Sequence, residues 1–242
     1  MREFKTYYKR HLPHYQPEGY TFFVTFRLAG SLPVEVIRKL KEERERELKL
    51  ISGYVDKKVR YEKYKTSQSL YFGKFDKLLD GSTFGPKWLK EEEAVQVVKE
   101  AIHIRDNKEY ELIAYTIMPN HVHIIFTPIS SSIVGRSEAS TSAAKLPKNI
   151  SEAKVKNEAN ASFYIVTKIL QDLKSKTALK CNKLLNRSGA FWQHESYDHV
   201  VRDENELGRI VEYVRNNPVK AGFCENWEDW KYSYCNFKRF DP

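Results

Sequence analysis

Cysteine is scarce in this chain: Cys181, Cys224 and Cys235 are the only three in 242 residues, and no CxxC occurs. That excludes a disulfide framework and a cysteine-built zinc site, and it points to a reducing, cytoplasmic setting. No stretch approaches the ~18 consecutive apolar residues that a membrane-spanning helix requires. The opening MREFKTYYKRHLPHYQ has no apolar segment of the kind a secretory signal carries, so none is expected. GxGxxG and the Walker loop are both missing, which leaves a nucleotide cofactor without a motif. Aromatic residues make up 13% of the chain, yet none occurs over 127–162. The Ser-, Ala-, Lys- and Asn-rich run at 128–160 therefore reads as a flexible surface insertion with few core contacts.

What is present is globular. Hydrophobic residues reach 41%, which excludes global disorder, and the length suits one large domain over 1–242. Lys and Arg number 41 against 32 Asp and Glu, a formal net charge of +9. An excess this large points to a polyanionic partner. It is also focused. Residues 163–188 carry Lys168, Lys174, Lys176, Lys180, Lys183 and Arg187 against Asp172 alone.

Period and punctuation give an α+β order. Tyr20–Arg27 (YTFFVTFR) reads as a buried strand. A charged helical stretch follows over 34–50, read as a solvated face and given no chemistry, and 57–79 is read as continuing helically. A helix near 91–105 has Ala94, Val95, Val97, Val98, Ala101 and Ile102 as its apolar stripe. Strands at 109–117 and 121–127 are joined by Met118-Pro119-Asn120, a connection that implies an antiparallel hairpin. A helix led by Ile165, strand segments at 190–193 and 197–202, and a helix over 204–217 complete the order. Pro218 is expected to stop that last helix. The hairpin favours an antiparallel or mixed sheet over a parallel Rossmann array.

Two groups of residues could do chemistry. In PNHVHIIF, strand alternation puts His121 and His123 on one face and Val122, Ile124 and Phe126 on the other. Paired imidazoles can share a metal ion, although a surface strand can carry the same spacing without one. In DENELGRIVEYVRNNPVKAG, Leu207, Ile210, Val211 and Val214 form the docking stripe. Tyr213 and Asn217, one turn apart, lie together at its margin. A half-buried packing role for that tyrosine is open at this point. Trp192, Trp227 and Trp230 read as core.

The runs PNHVHIIF, FWQHESYDHVVRDENELGRIVEYVRNNPVKAGF and ENWEDWKYSYCNF, with HYQPEGYTFFVTFRLAGSLP near the start, resemble the REP-associated tyrosine transposases. These are single-tyrosine HUH (His-hydrophobic-His) nucleases related to small insertion-sequence transposases. The resemblance implies a ferredoxin-like antiparallel sheet flanked by helices. It makes His121 and His123 metal ligands, Asn217 a third ligand through its side-chain oxygen, and Tyr213 the nucleophile. It also implies a divalent ion, Mg²⁺ or Mn²⁺, and a 5′-phosphotyrosine intermediate on single-stranded or hairpin DNA. The protein would act as a monomer or homodimer, held at the nucleoid by its DNA. Lys168, Lys174, Lys176 and Lys180 become candidate phosphate contacts. The charged helices of 34–80 and the insertion at 128–160 lie outside the family's minimal domain. Two other readings stand beside this one: a non-catalytic nucleic-acid-binding protein of the same fold, and a metal phosphoesterase that uses water and has no need of Tyr213.

Overall fold

The computed structural model describes residues 7–9, 13–129 and 164–237. From residue 130 onward, the expected insertion lies outside the described residues. A two-stranded ribbon, β1 (Tyr7–Lys9) with β2 (Pro13–Tyr15), precedes the main sheet. The sheet is built from β3 (Phe22–Arg27), β4 (Tyr110–Ile117), β5 (His121–Pro128), β6 (Tyr197–Val200) and β7 (Ser233–Cys235). Its spatial order is β6-β3-β5-β4-β7, antiparallel throughout. The helices are α1 (Val34–Ser52), α2 (Lys57–Asp80), α3 (Glu92–His103), α4 (Ile165–Leu184) and α5 (Glu204–Lys220). Without α1, α2, α5 and the edge strand β7, the order β3-α3-β4-β5-α4-β6 is the split βαβ pattern of a ferredoxin-like fold.

Strand alternation divides the sheet into two faces. On one face Phe22, Val24, Phe26, Val122, Ile124 and Phe126 pack against the stripes of α3 (Ala94, Val95, Val98, Ile102) and α4 (Ile165, Val166, Ile169, Leu173). On the other, Phe23, Ile113, Ala114 and Ile125 meet Leu207, Val211 and Val214 of α5. A bulge between Leu112 and Ala114 shifts the register of β4 against β5. It allows the adjacent residues Ile113 and Ala114 both to join the second face. Burying each such aliphatic side chain is worth about 1.5–3 kcal/mol. Both layers are therefore strongly specified.

Two expectations need correction. Pro218 does not stop α5, which runs on to Lys220. Proline in a last turn forfeits only its own backbone bond, while Ala221, Gly222 and Phe223 still donate to the carbonyls of Asn217, Val219 and Pro218. Residues 190–193 form no strand. They meet the sheet at a single bridge, Leu28 to Trp192, where Phe191 and Trp192 turn into the core.

Candidate active site

Cross-strand register builds the centre of the site. Thr25 stands opposite His123, and Arg27 opposite His121, so all four side chains share the α5 face of the sheet. Both imidazoles are fully buried. Their Nε2 atoms face each other at 3.0 Å. An ion bonded to imidazole nitrogen at about 2.1 Å, with its ligands at right angles, holds two such nitrogens about 3.0 Å apart.

The outer nitrogens are fixed as well. His121 Nδ1 lies 2.6 Å from Asn120 Oδ1, and His123 Nδ1 lies 2.7 Å from Thr25 Oγ1. Asn120 donates its own Nδ2 to the Leu79 carbonyl at 2.9 Å, which turns its oxygen toward His121. His121 therefore carries its proton on Nδ1 and turns the lone pair of Nε2 toward His123 Nε2. Burial first, and then His123, push the His121 pKa down to about 3, so the ring is neutral. The Thr25 hydroxyl both donates and accepts, and so serves either tautomer of His123.

Asn120 thus ties the hairpin turn to the C-terminal end of α2 and to the His121 ring. Asn120→Ala is expected to cost about 1–3 kcal/mol, because two buried groups lose their partner. If the histidine pair holds an ion, the variant should bind it about 10–100-fold more weakly, as loss of an outer-shell partner does. Urea denaturation and metal titration of the same variant check both effects.

Helix α5 brings Tyr213 and Asn217 to the pair. The ring of Tyr213 lies 5.7 Å from that of His123 and is edged by Phe23 and Phe72. Its buried hydroxyl has no hydrogen-bond partner among the described residues, and neither does Oδ1 of the buried Asn217. The Lys220 ammonium lies 5.1 Å from the Tyr213 ring centre.

The sequence reading missed the carboxylates. On α2, Phe72, Asp76 and Asp80 recur every fourth residue and share one face. That face lies over the histidines. Asp76 Oδ1 is 3.2 Å from His123 Nε2, and Asp80 Oδ1 is 3.7 Å from His121 Nε2. Asn217 Nδ2 donates to both carboxylates at 3.4 Å. Burial works against the Asp76 charge, yet His123, His121 and the Asn217 amide outweigh it and hold the group below its ordinary value. Burial, and then the charge of Asp76, push Asp80 up to about 7. Helix 57–80 is thus part of the site, where the sequence assigned it no chemistry. One signal was available. Two aspartates at i and i+4 in the last turns of a helix repel each other and oppose the macrodipole, so a partner elsewhere has to compensate them. Arg27, buried on the same face, donates to Ser31 Oγ at 3.0 Å, and burial lowers its pKa to about 10, so it stays charged.

The lysines are not brought to the site. They ride on α4, which covers the opposite face of the sheet. Lys174 donates to the carbonyls of Gln193 and His194 and to Ser196 Oγ, clamping that loop. Lys176 pairs with Asp172, while Lys168 and Lys180 are exposed. Trp192 is buried, with its Nε1 on Thr177, but Trp227 and Trp230 are only partly covered. If the exposed lysines hold a strand, changing Lys168, Lys176 and Lys180 to Gln should lower the log–log salt slope of binding by up to about 0.7 per lost contact. Any cleavage at saturating DNA should be unchanged. An unchanged slope would show a merely solvated face.

A ferredoxin-like sheet carrying a buried His-x-His pair, with a helix tyrosine and an amide one turn on, describes this class of site. Sequence comparison agrees with that likeness. A protein of Haemophilus influenzae described as a REP-associated tyrosine transposase is 27% identical over 125 residues, covering 51% of this chain and 58% of that protein. The chain thus matches a little over half of that relative's length. A solved REP-associated tyrosine transposase bound to a REP hairpin aligns over 93% of this chain and 80% of its own, at 15% identity and a TM-score of 0.44. That likeness is too loose to carry geometry across. No family model matches. Among the described residues, no helix is long and apolar enough to cross a membrane.

Proposed function

We propose that this chain is a metal-dependent endonuclease and strand transferase of single-stranded DNA, acting on REP-like hairpins through a 5′-phosphotyrosine at Tyr213. The observation that carries it is a tyrosine with an unpartnered buried hydroxyl, its ring beside that of His123, next to a histidine pair whose inner nitrogens are spaced for one ion. The name of the Haemophilus influenzae relative supports the same reading.

The residues present suit a divalent ion, Mg²⁺ or Mn²⁺. Two imidazole nitrogens and the orphaned Asn217 oxygen form a mixed N,O donor set, which favours Mn²⁺ over the oxygen-preferring Mg²⁺. Such an ion, when bound, withdraws charge from a non-bridging phosphate oxygen. Thr25 and Asn120 hold the two rings in place from behind. Tyr213 attacks phosphorus: a bond from its phenolic oxygen forms, the bond to the 3′ oxygen breaks, the phenolic proton leaves for solvent, and the departing 3′ oxygen takes up a proton from solvent. The products are a protein-linked 5′ phosphate and a free 3′-OH. Because the phosphodiester energy is retained, the reverse reaction joins strands without ATP. One tyrosine makes one link, so full strand exchange takes a second protomer or a second round.

Access requires movement. Both histidines are fully buried beneath α2, and the Tyr213 hydroxyl is covered too. A strand therefore reaches the tyrosine only when α2 yields. That displacement separates Phe72 from the rings of Phe23, Tyr197 and Tyr213 and releases the Asn120 bond to the Leu79 carbonyl.

The test is a 3′-labelled REP-like hairpin incubated with the protein and Mn²⁺, then run on a denaturing gel. The expected product is a labelled band retained on protein. Cleavage without such a band would instead favour a water-using phosphoesterase, and binding without cleavage a non-catalytic protein.

A further inference from the structure

Resting on that reading, we infer that Asp76, carried by α2 from outside the ferredoxin-like core, is an anionic ligand of the same ion. Three observations converge on it. Donor atoms of Asp76, His121 and His123 all lie within 4.8 Å of one another, and all three residues are buried. Asp76 Oδ1 approaches His123 Nε2 at 3.2 Å but makes no aligned hydrogen bond, so this oxygen keeps its lone pairs. The Asn217 amide, 1% exposed, directs its nitrogen at the carboxylates and keeps an orphaned oxygen beside them.

A carboxylate buried beside two imidazoles, with one oxygen left without a hydrogen bond, is costly unless a cation meets it. One divalent ion compensates Asp76, uses both inner imidazole lone pairs and gives the Asn217 oxygen a partner. The donor set becomes two nitrogens, one carboxylate oxygen and one amide oxygen, leaving two positions of six for water while α2 is in place. It remains mixed, as suits Mn²⁺, and the carboxylate makes it more hospitable to Mg²⁺ than histidines alone. Asp80 plays a different part. Its Oδ1 stands farther off, at 3.7 Å from His121, and it shares the Asn217 amide with Asp76. It is an orienting neighbour.

The consequence is that the free protein binds its ion without DNA, and that the ion pins α2 to the sheet. The experiment titrates Mn²⁺ into the full chain without DNA, following free Mn²⁺ by electron paramagnetic resonance and protein melting by circular dichroism. Wild type should bind one ion and melt at a higher temperature with it. Asp76→Asn should bind at least about tenfold more weakly, since losing a ligand costs no less than losing an outer-shell partner. It should also lose most of the Mn²⁺-dependent rise in melting temperature. Glu62→Gln, at an exposed position of α2, should stay within a few-fold of wild type, which controls for simple loss of charge on that helix. Asp76→Glu should recover part of the affinity if the carboxylate itself is the donor. Wild-type affinity in a folded Asp76→Asn, together with loss of binding in His121→Ala, would overturn the inference and leave the proposed function standing. Absence of Mn²⁺ binding by the wild type at millimolar concentration would overturn both.

Discussion

Tyr213→Phe is expected to form no covalent DNA adduct at all while binding hairpin DNA as the unmodified chain does. The substitution removes one oxygen and keeps a ring that touches Phe23, Phe72 and His123. That oxygen is buried and has no partner among the described residues, so its removal costs no hydrogen bond. Stability should change by less than about 1 kcal/mol, and any change should favour the variant, because an unsatisfied buried hydroxyl disappears. The two readings of this tyrosine therefore separate cleanly. A packing residue would leave cleavage intact, whereas a nucleophile leaves none. Thermal melting and the denaturing gel, run on one preparation, measure both quantities.

Replacing either histidine is expected to abolish cleavage as well, but with a cost in stability that Tyr213→Phe lacks. His121 and His123 are fully buried, so alanine opens a cavity beneath α2. At position 121 it also strands the Asn120 oxygen, and at 123 it leaves the Thr25 hydroxyl without its ring nitrogen. Each loss of a partner costs about 1–3 kcal/mol. The check is cleavage measured well below the melting temperature of each variant, beside a Mn²⁺ titration. Cleavage near the wild-type rate in a folded His121→Ala or His123→Ala would remove the histidine pair from the mechanism.

The parts of this site legible in the sequence were those set by a single element. Period two puts His121 and His123 together on any strand, whatever surrounds it, and the 3.6-residue repeat puts Tyr213 beside Asn217 on any helix. The α+β class followed from the Pro-Asn hairpin and the alternation of elements, and the ferredoxin-like order came from the motif resemblance. What could not be read depends on docking between distant segments. Asp76 and Asp80 belong to the site only because the α1–α2 hairpin folds back over β5, more than forty positions later in the chain. Apart from that repelling aspartate pair, nothing in 57–80, a stretch rich in lysine, reveals the docking. Lys174 looked like its neighbours on α4. Its partners are carbonyls of a loop some twenty residues on, so its charge holds the fold and is not free to meet a phosphate. Pro218 misled because a rule for helix interiors was applied to a last turn.

The central claim is a covalent bond between DNA and one named oxygen, and mass spectrometry of the trapped adduct tests it most directly. After reaction with a REP-like hairpin and Mn²⁺, nuclease trimming and trypsin, the peptide Ile210–Arg215 (IVEYVR) holds a single tyrosine. The expected result is a nucleotide mass on that peptide, fragmenting at Tyr213, and absent when Tyr213 is phenylalanine. A nucleotide found instead on the peptide containing Tyr197, the nearest other tyrosine on the N-terminal side, would contradict the account, as would cleavage with no peptide modified.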